Sequence, residues 1–317
     1  MISLNHGAVY PNGTAFNMTL DADVIVRDHT TEMADPPAID RVNEAVDFVL
    51  AKRLHQPQIA IILGSGLGGL SQDVRHATSI PYADIPHFQS TRAVGHAGQL
   101  LLGHLAGMPV AVMQGRYHRY EGHSSDCVSF PVRVLRALGA TTLIVTNASG
   151  GLNPRYRPGD LMLVDQHIDC LWPRRACRAV DLPSDSNHAA GHVRHSSPIY
   201  DPDLIERVRR IAVNSEIFMQ RGTYVATLGP TYETRAEYRM FRWMGGDAVG
   251  MSTVPEVLTA RQLAMRALAI SVITNVACTD SVQTVTHEEV VHCGRAVEPK
   301  LRQLVRQLLE EMSGPAD

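Results

Sequence analysis

The stretch Ile59-Ala-Ile-Ile-Leu-Gly-Ser-Gly-Leu-Gly-Gly69 joins five apolar residues, most of them β-branched or aliphatic, to a run in which four of six residues are glycine. Such a run, bounded by glycine and too short for a helix, reads as a strand buried on both faces. The glycines then mark a tight loop at its carboxyl end. Working outward, the apolar positions Val42, Ala45, Val46, Val49 and Leu50 recur at helical spacing from Ile39 to Leu54. Further short runs predict strands at Gln99–Leu102, Pro109–Met113, Thr142–Thr146, Leu161–Val164, Thr223–Thr227 and Ala269–Thr274. Helical patterns lie at Cys127–Leu138, Asp203–Val213, Arg235–Met244 and Val254–Met265, and a terminal amphipathic helix at His287–Met312. The alternation predicts an α/β fold, a single domain with a central mixed β-sheet flanked by helices. Residues 1–37 mix Asn, Thr, Asp and Gly without periodicity and end in two prolines, so they are expected to form a loosely ordered extension before a domain spanning 38–317. Trp172–Ser197, polar and without apolar periodicity, is expected to be a long surface loop.

The chain has 317 residues, of which 44% are hydrophobic and 19% charged, with a net charge of -3. No long like-charge run offers a nucleic-acid surface, and nothing favours a polyanionic partner. The five cysteines are odd in number and never spaced as CxxC, which speaks against a disulfide framework or a zinc knuckle and for a reducing, cytoplasmic setting. No basic start followed by an apolar segment and no stretch near 18 apolar residues suggests secretion or membrane insertion.

Ligands of open α/β sheets bind beyond the carboxyl ends of the strands, which directs attention to five strand ends. Gly64–Gly69 lets backbone N–H groups and the Ser65 hydroxyl approach an anion. Gly115-Arg-Tyr-His118 places a permanent cation and an imidazole two residues apart, on one side of an extended segment. Thr146-Asn-Ala-Ser-Gly-Gly151 adds small residues and backbone donors. Gly229-Pro-Thr-Tyr-Glu-Thr234 sets Glu233 at the start of a helix, where it would favour the dipole, and Val272-Ile-Thr-Asn275 ends a strand in an amide. Glu233 and Asn275 together have the donors and acceptors to read the edge of a heterocycle.

Competing motifs are present. Gly64–Gly69 also fits G-x-G-x-x-G, with Asp84 at the distance of a ribose-binding carboxylate, as in nicotinamide-dependent dehydrogenases; the proline-bracketed Pro81–Pro86 is a poor second parallel strand for that fold. His287 and His292 are five apart, one too many for the zincin motif, and no G-x-S-x-G surrounds Ser65, Ser149 or Ser252.

Taken in order, Gly64-Ser-Gly-Leu-Gly68, Gly95-His-Ala-Gly98, Gln114-Gly-Arg-Tyr-His118 with Tyr120-Glu-Gly122, Thr146–Pro154, Gly229–Thr234, Gly250-Met-Ser-Thr-Val-Pro-Glu256, Ile273-Thr-Asn275 and His287-Glu-Glu-Val290 resemble the trimeric, 6-oxopurine-preferring purine nucleoside phosphorylases, from about Ile39 to the last helix. The resemblance implies phosphorolysis of inosine and guanosine to purine and pentose 1-phosphate in purine salvage, by a homotrimer with no metal or organic cofactor. Inorganic phosphate is then a co-substrate. Ser65, Arg116, His118, the Ala148 backbone and Ser252 would hold phosphate with His96 closing near it. Tyr120, Met251 and His287 would contact ribose, and Glu233, Asn275, Tyr232 and Val249 the base. Glu233, Asn275, His118 and His287 are the residues expected to carry the chemistry.

Two departures stand out against that family. Tyr232 stands where phenylalanine is common, which admits xanthosine as a substrate. The 185–197 stretch lacks the aromatic residue usually lent to a neighbour's ribose site, so either a histidine substitutes or the subunit contact differs. A methylthioadenosine phosphorylase, an NAD-dependent dehydrogenase and a non-catalytic nucleoside-binding protein are the alternatives.

Overall fold

Strand β1 (Ile59–Leu63) is buried along its whole length because it has a parallel neighbour on each side, β4 (Met108–Gln114) and β5 (Thr142–Gly151), and helices cover both faces. The computed structural model describes residues 39–52, 55–91, 95–171, 198–277 and 286–314, with the side chains of Ile39 and His287 excepted. The expected N-terminal extension and the Trp172–Ser197 loop lie outside the described residues.

The remaining strands are β2 (Arg75–Pro81), β3 (Gln99–Leu105), β6 (Leu161–Asp169), β7 (Met219–Ala226), β8 (Ala248–Gly250) and β9 (Arg266–Val276). All nine belong to one mixed sheet of order β2-β3-β4-β1-β5-β8-β7-β6-β9, and β9 returns to pair with β5. The strands β5, β8, β7, β6 and β9 therefore form a closed ring, while β2, β3, β4 and β1 extend from it as an open sheet. β5 belongs to both parts, pairing in parallel with β1 and β9 and antiparallel with β8.

The helices are α1 (Ile39–Leu50), α2 (Ser125–Ala137), α3 (Pro202–Asn214), α4 (Arg235–Trp243), α5 (Val254–Gln262) and α6 (His287–Ser313). Their starts are written in the sequence. Ser124 and Asp201 accept from the backbone N–H of the third residue of α2 and α3, and Thr234/Glu237 and Thr286/Glu289 form capping boxes on α4 and α6.

The mixed α/β architecture agrees with the expectation, but several bounds do not. β3 runs on to Leu105 because Ala106 and Gly107, both at positive φ, make a two-residue hairpin into β4. β5 continues through Gly151 and β9 through Val276, so the polar residues expected beyond these strands are within them. β2 and β8 were not anticipated: β2 is an antiparallel edge strand with one buried residue, and β8 has only three residues.

Candidate active site

The carboxyl ends of β1, β4, β5, β7 and β9 and the short β8 converge on one cavity of about 420 Å³. Eleven of the thirteen residues expected in the site line it: Ser65, Arg116, His118, Tyr120, Ala148, Tyr232, Glu233, Val249, Met251, Ser252 and Asn275. The twelfth, His96, stands one layer behind, and the side chain of the thirteenth, His287, lies outside the described residues although its backbone opens α6.

One corner is built for an anion. Leaving β4, Gly115 takes φ +107°, and a Cβ there would stand 2.5 Å from the His96 side chain, so glycine is required where the chain turns beneath that ring. The turn sends Arg116 and His118 to the cavity and Tyr117 away from it, into an edge contact with Tyr82. His96 Nε2 is 3.2 Å from Ser65 Oγ, and the rings of His96, His118 and Tyr120 stack in sequence with centroids 5.4 and 4.8 Å apart. Burial, helped by the charges of His118 and Arg116, lowers the His96 pKa to about 3, so that ring is neutral near pH 7. Glu121 accepts from the His118 backbone N–H at 2.9 Å and meets its Nδ1 at 3.0 Å, which fixes the ring with Nε2 directed elsewhere.

The Arg116 guanidinium is almost wholly buried. It donates to Ser252 Oγ (3.2 Å), Thr253 Oγ1 (3.1 Å) and the carbonyls of Ile62 (3.3 Å) and Thr146. Its counter-charge is Glu256, Oε1 lying 3.5 Å from Nη1. Burial lowers the Arg116 pKa and Glu256 opposes that effect. Thr253 is a β-branched residue at φ +76°, a sterically poor conformation that is held here by its bonds to Arg116 and to Asn147 Nδ2 (2.9 Å).

The opposite wall offers a carboxylate and an amide. Glu233 stands just before the cap of α4; its expected role at the helix start falls instead to Glu237, which closes the capping box. Thr227 Oγ1 donates to Glu233 Oε1 at 2.8 Å, and the Tyr238 phenol faces the same carboxylate. Burial raises the Glu233 pKa while these hydroxyls lower it. Asn275 reaches the cavity through the register shift between β5 and β9 that sets it opposite Gly150. A Cβ on Gly150 would lie 3.3 Å from Asn275 Nδ2, so a side chain there would press on that amide. Tyr232, Val249, Met251 and Pro230 supply apolar and aromatic surface between the two walls.

Thr227, Tyr238, Thr253 and Glu256 were not singled out from the sequence. A signal existed only for Glu256, an acid within the otherwise apolar Val254-Pro-Glu-Val-Leu258. The dinucleotide alternative loses its geometry, because Gly64–Gly69 leads into a 3₁₀ turn and the next strand is antiparallel, with Asp84 in a second such turn. Among the described residues, no three His, Cys, Asp or Glu are grouped to hold a metal ion, and no helix is long and apolar enough to cross a membrane.

Residues 58–310 match the phosphorylase superfamily. Purine nucleoside phosphorylase 1 of Geobacillus stearothermophilus is 43% identical over 278 residues, covering 86% of this chain and 97% of that protein. A Schistosoma mansoni purine nucleoside phosphorylase solved with adenosine superposes with a TM-score of 0.77 at 36% identity, covering 88% and 99% of the two chains. A schistosome purine nucleoside phosphorylase solved with hypoxanthine gives 0.75 at 35% identity, covering 86% and 98%.

Proposed function

The chain belongs to the purine nucleoside phosphorylases of the phosphorylase superfamily, which are pentosyltransferases, and from that footing we propose that it cleaves 6-oxopurine nucleosides, inosine and guanosine, with inorganic phosphate. What carries this reading is a single cavity with an anion corner at Ser65, Arg116, His118 and Ser252 facing a carboxylate–amide wall at Glu233 and Asn275.

Phosphate bound at the corner attacks C1′ of the pentose while the C1′–N9 bond breaks, and no covalent enzyme intermediate is needed. Holding the two reactants in line is an orientation effect of roughly 7–11 kcal/mol in favourable systems. Ser65, the Ala148 backbone N–H and Ser252 supply donors, and Arg116 the positive charge. As the glycosidic bond breaks, the ribose gains positive charge that the phosphate dianion offsets, and the purine gains negative charge. Asn275 donates to N7 where that charge collects, and Glu233 accepts from N1–H. Tyr232 and Val249 hold the base plane, and Tyr120, Met251 and His287 the ribose.

An amide at 275 suits a 6-oxo group next to N7, since it can donate to both. The schistosome structure with hypoxanthine is in keeping with this choice; the one with adenosine makes adenosine the comparison that any assay must include. Phosphate is a co-substrate, and no organic cofactor or metal enters the reaction. A homotrimer in the cytoplasm, working in purine salvage, completes the proposal.

Hypoxanthine release from inosine by the purified protein, with and without phosphate, tests the reaction. Adenosine, methylthioadenosine and xanthosine run in parallel test the substrate class. Release that does not depend on phosphate, or release from adenosine alone, would overturn the proposal.

A further inference from the structure

Glu233 presents a half-buried carboxylate to the cavity, where partial burial opposes its ionised form. Only an ionised carboxylate accepts from a purine N1–H with both oxygens free of protons. One neutral donor is in hydrogen-bond reach of it, the Thr227 hydroxyl, first residue beyond β7, at 2.8 Å from Oε1, and the Tyr238 phenol on the first turn of α4 faces the same carboxylate. The Thr227 hydroxyl has a second acceptor, the Gly250 carbonyl at 3.4 Å, and the carboxylate is the shorter of the two. The Tyr238 phenol is itself pushed up to about 12, by burial and then by the facing carboxylate, so it remains a donor at any working pH.

We propose that Thr227 and Tyr238 are positioning residues that hold the Glu233 carboxylate ionised and turned toward the purine edge, an inference that rests on the base-binding role given above to Glu233. Without them the charged form has its own backbone N–H as a remaining partner. The other titratable groups facing Glu233 are Glu237 on α4, which favours the protonated form, and Tyr232 beside it, which also faces Glu289 of α6. Neither of these donates to the carboxylate in the structure. Thr227 and Tyr238 also come from separate elements, one just beyond β7 and the other on α4.

The test is the pH profile of kcat/KM for inosine at saturating phosphate, for the full-length parent, Tyr238→Phe, Thr227→Val and Glu233→Gln. Each hydroxyl deletion should move the acid limb upward by on the order of one pH unit, since a hydrogen bond to a charged group is worth about that much. Below the limb this is about a tenfold loss, and above it little change. Glu233→Gln should remove the Glu233 component of the limb. The titration of phosphate itself is common to all four proteins, and above the limb kcat/KM for phosphate at saturating inosine should be little changed in the two hydroxyl variants. Equal losses at every pH, or a parallel fall in the phosphate constant, would overturn the inference and leave the two hydroxyls a structural role. Each substitution removes little volume, and if one variant does not fold the other still decides. A parent protein with no phosphate-dependent release from inosine would instead remove the reading of the site on which the inference rests.

Discussion

Arg116 and Glu256 meet with Nη1 and Oε1 3.5 Å apart, and each side chain is only 2% exposed. Among the described residues neither carboxylate oxygen of Glu256 has a hydrogen-bond partner, so its stability in the fold depends on the cation. Ion pairs of this kind add little net stability against an apolar pair, but breaking one leaves a buried charge unpaired.

Glu256→Ala should therefore destabilise the protein by about 3–5 kcal/mol in equilibrium urea unfolding. Its KM for phosphate should rise more than its KM for inosine, because Arg116 faces the anion corner and not the base. A stability change within about 0.5 kcal/mol, the range of ordinary surface substitutions, would show that the pair is not coupled in the way the geometry implies.

Asn275 is placed to donate to the departing purine, where charge develops only in the transition state. Removing a donor of that type costs about 10²–10³ in kcat. Asn275→Ala should lose activity in that range with a smaller change in KM, read from steady-state rates with inosine. In Asn275→Asp the ratio of kcat/KM for inosine to that for adenosine should fall, because a carboxylate accepts from a 6-amino group and repels a 6-oxo group. An unchanged ratio would take Asn275 out of the selector role.

How much of this could be read from the chain depended on whether a feature was local. β1 and its glycine loop are local, and they stand where the sequence places them; the capping residues Ser124, Asp201, Thr234 and Thr286 are equally local but were not read from it. The Gly115–His118 segment is local too, and it brings Arg116 and His118 to one cavity. β8 is three residues inside a loop motif, and its pairing with β5 and β7 is what makes it a strand. β2 lies mostly exposed at a sheet edge and shows no apolar alternation. Thr253 and Glu256 act on a residue more than 130 positions earlier, a relation that only the closing of the β5–β9 ring creates. Tyr238 lines the cavity with Glu233 from a helix whose start was legible, but nothing in the sequence shows that its ring turns to that side.

The neutral His96 gives a pH dependence with a definite sign. In the unfolded chain a histidine takes up a proton near pH 6.5, whereas the folded ring stays neutral down to about 3. Between those values the unfolded state binds more protons, so stability falls as pH is lowered, by at most about 1.4 kcal/mol per unit from this residue. His96→Asn lacks the group. The stability advantage of the parent over His96→Asn should shrink by roughly 2 kcal/mol from pH 7 to pH 5, measured by urea unfolding in matched buffers. An advantage that is the same at both pH values would mean that His96 titrates normally in the fold.

Thr253 joins two lines of reasoning, strain and polarity, that predict opposite outcomes for different substitutions. Its φ of +76° is costly for a β-branched residue, by about 1–3 kcal/mol, and glycine would remove that cost. Its hydroxyl accepts from Arg116 Nη1 at 3.1 Å, which also donates to Ser252 Oγ at 3.2 Å, and from the buried Asn147 Nδ2 at 2.9 Å. Losing that acceptor costs about 1–3 kcal/mol, and more where the donor is charged. Thr253→Val keeps the strain and loses the acceptor, so it should be the least stable variant and should show the largest rise in KM for phosphate. Thr253→Gly relieves the strain and loses the acceptor, so its stability should lie near that of the parent while its KM for phosphate still rises. Thr253→Ser keeps the acceptor and sheds the branch, and it should match or exceed the parent in stability with KM for phosphate unchanged. Thermal melting and phosphate-dependent rates on the three variants check the order. If Thr253→Gly restored tight phosphate binding, the residue would be a conformational hinge, and its hydroxyl would have no part in holding Arg116.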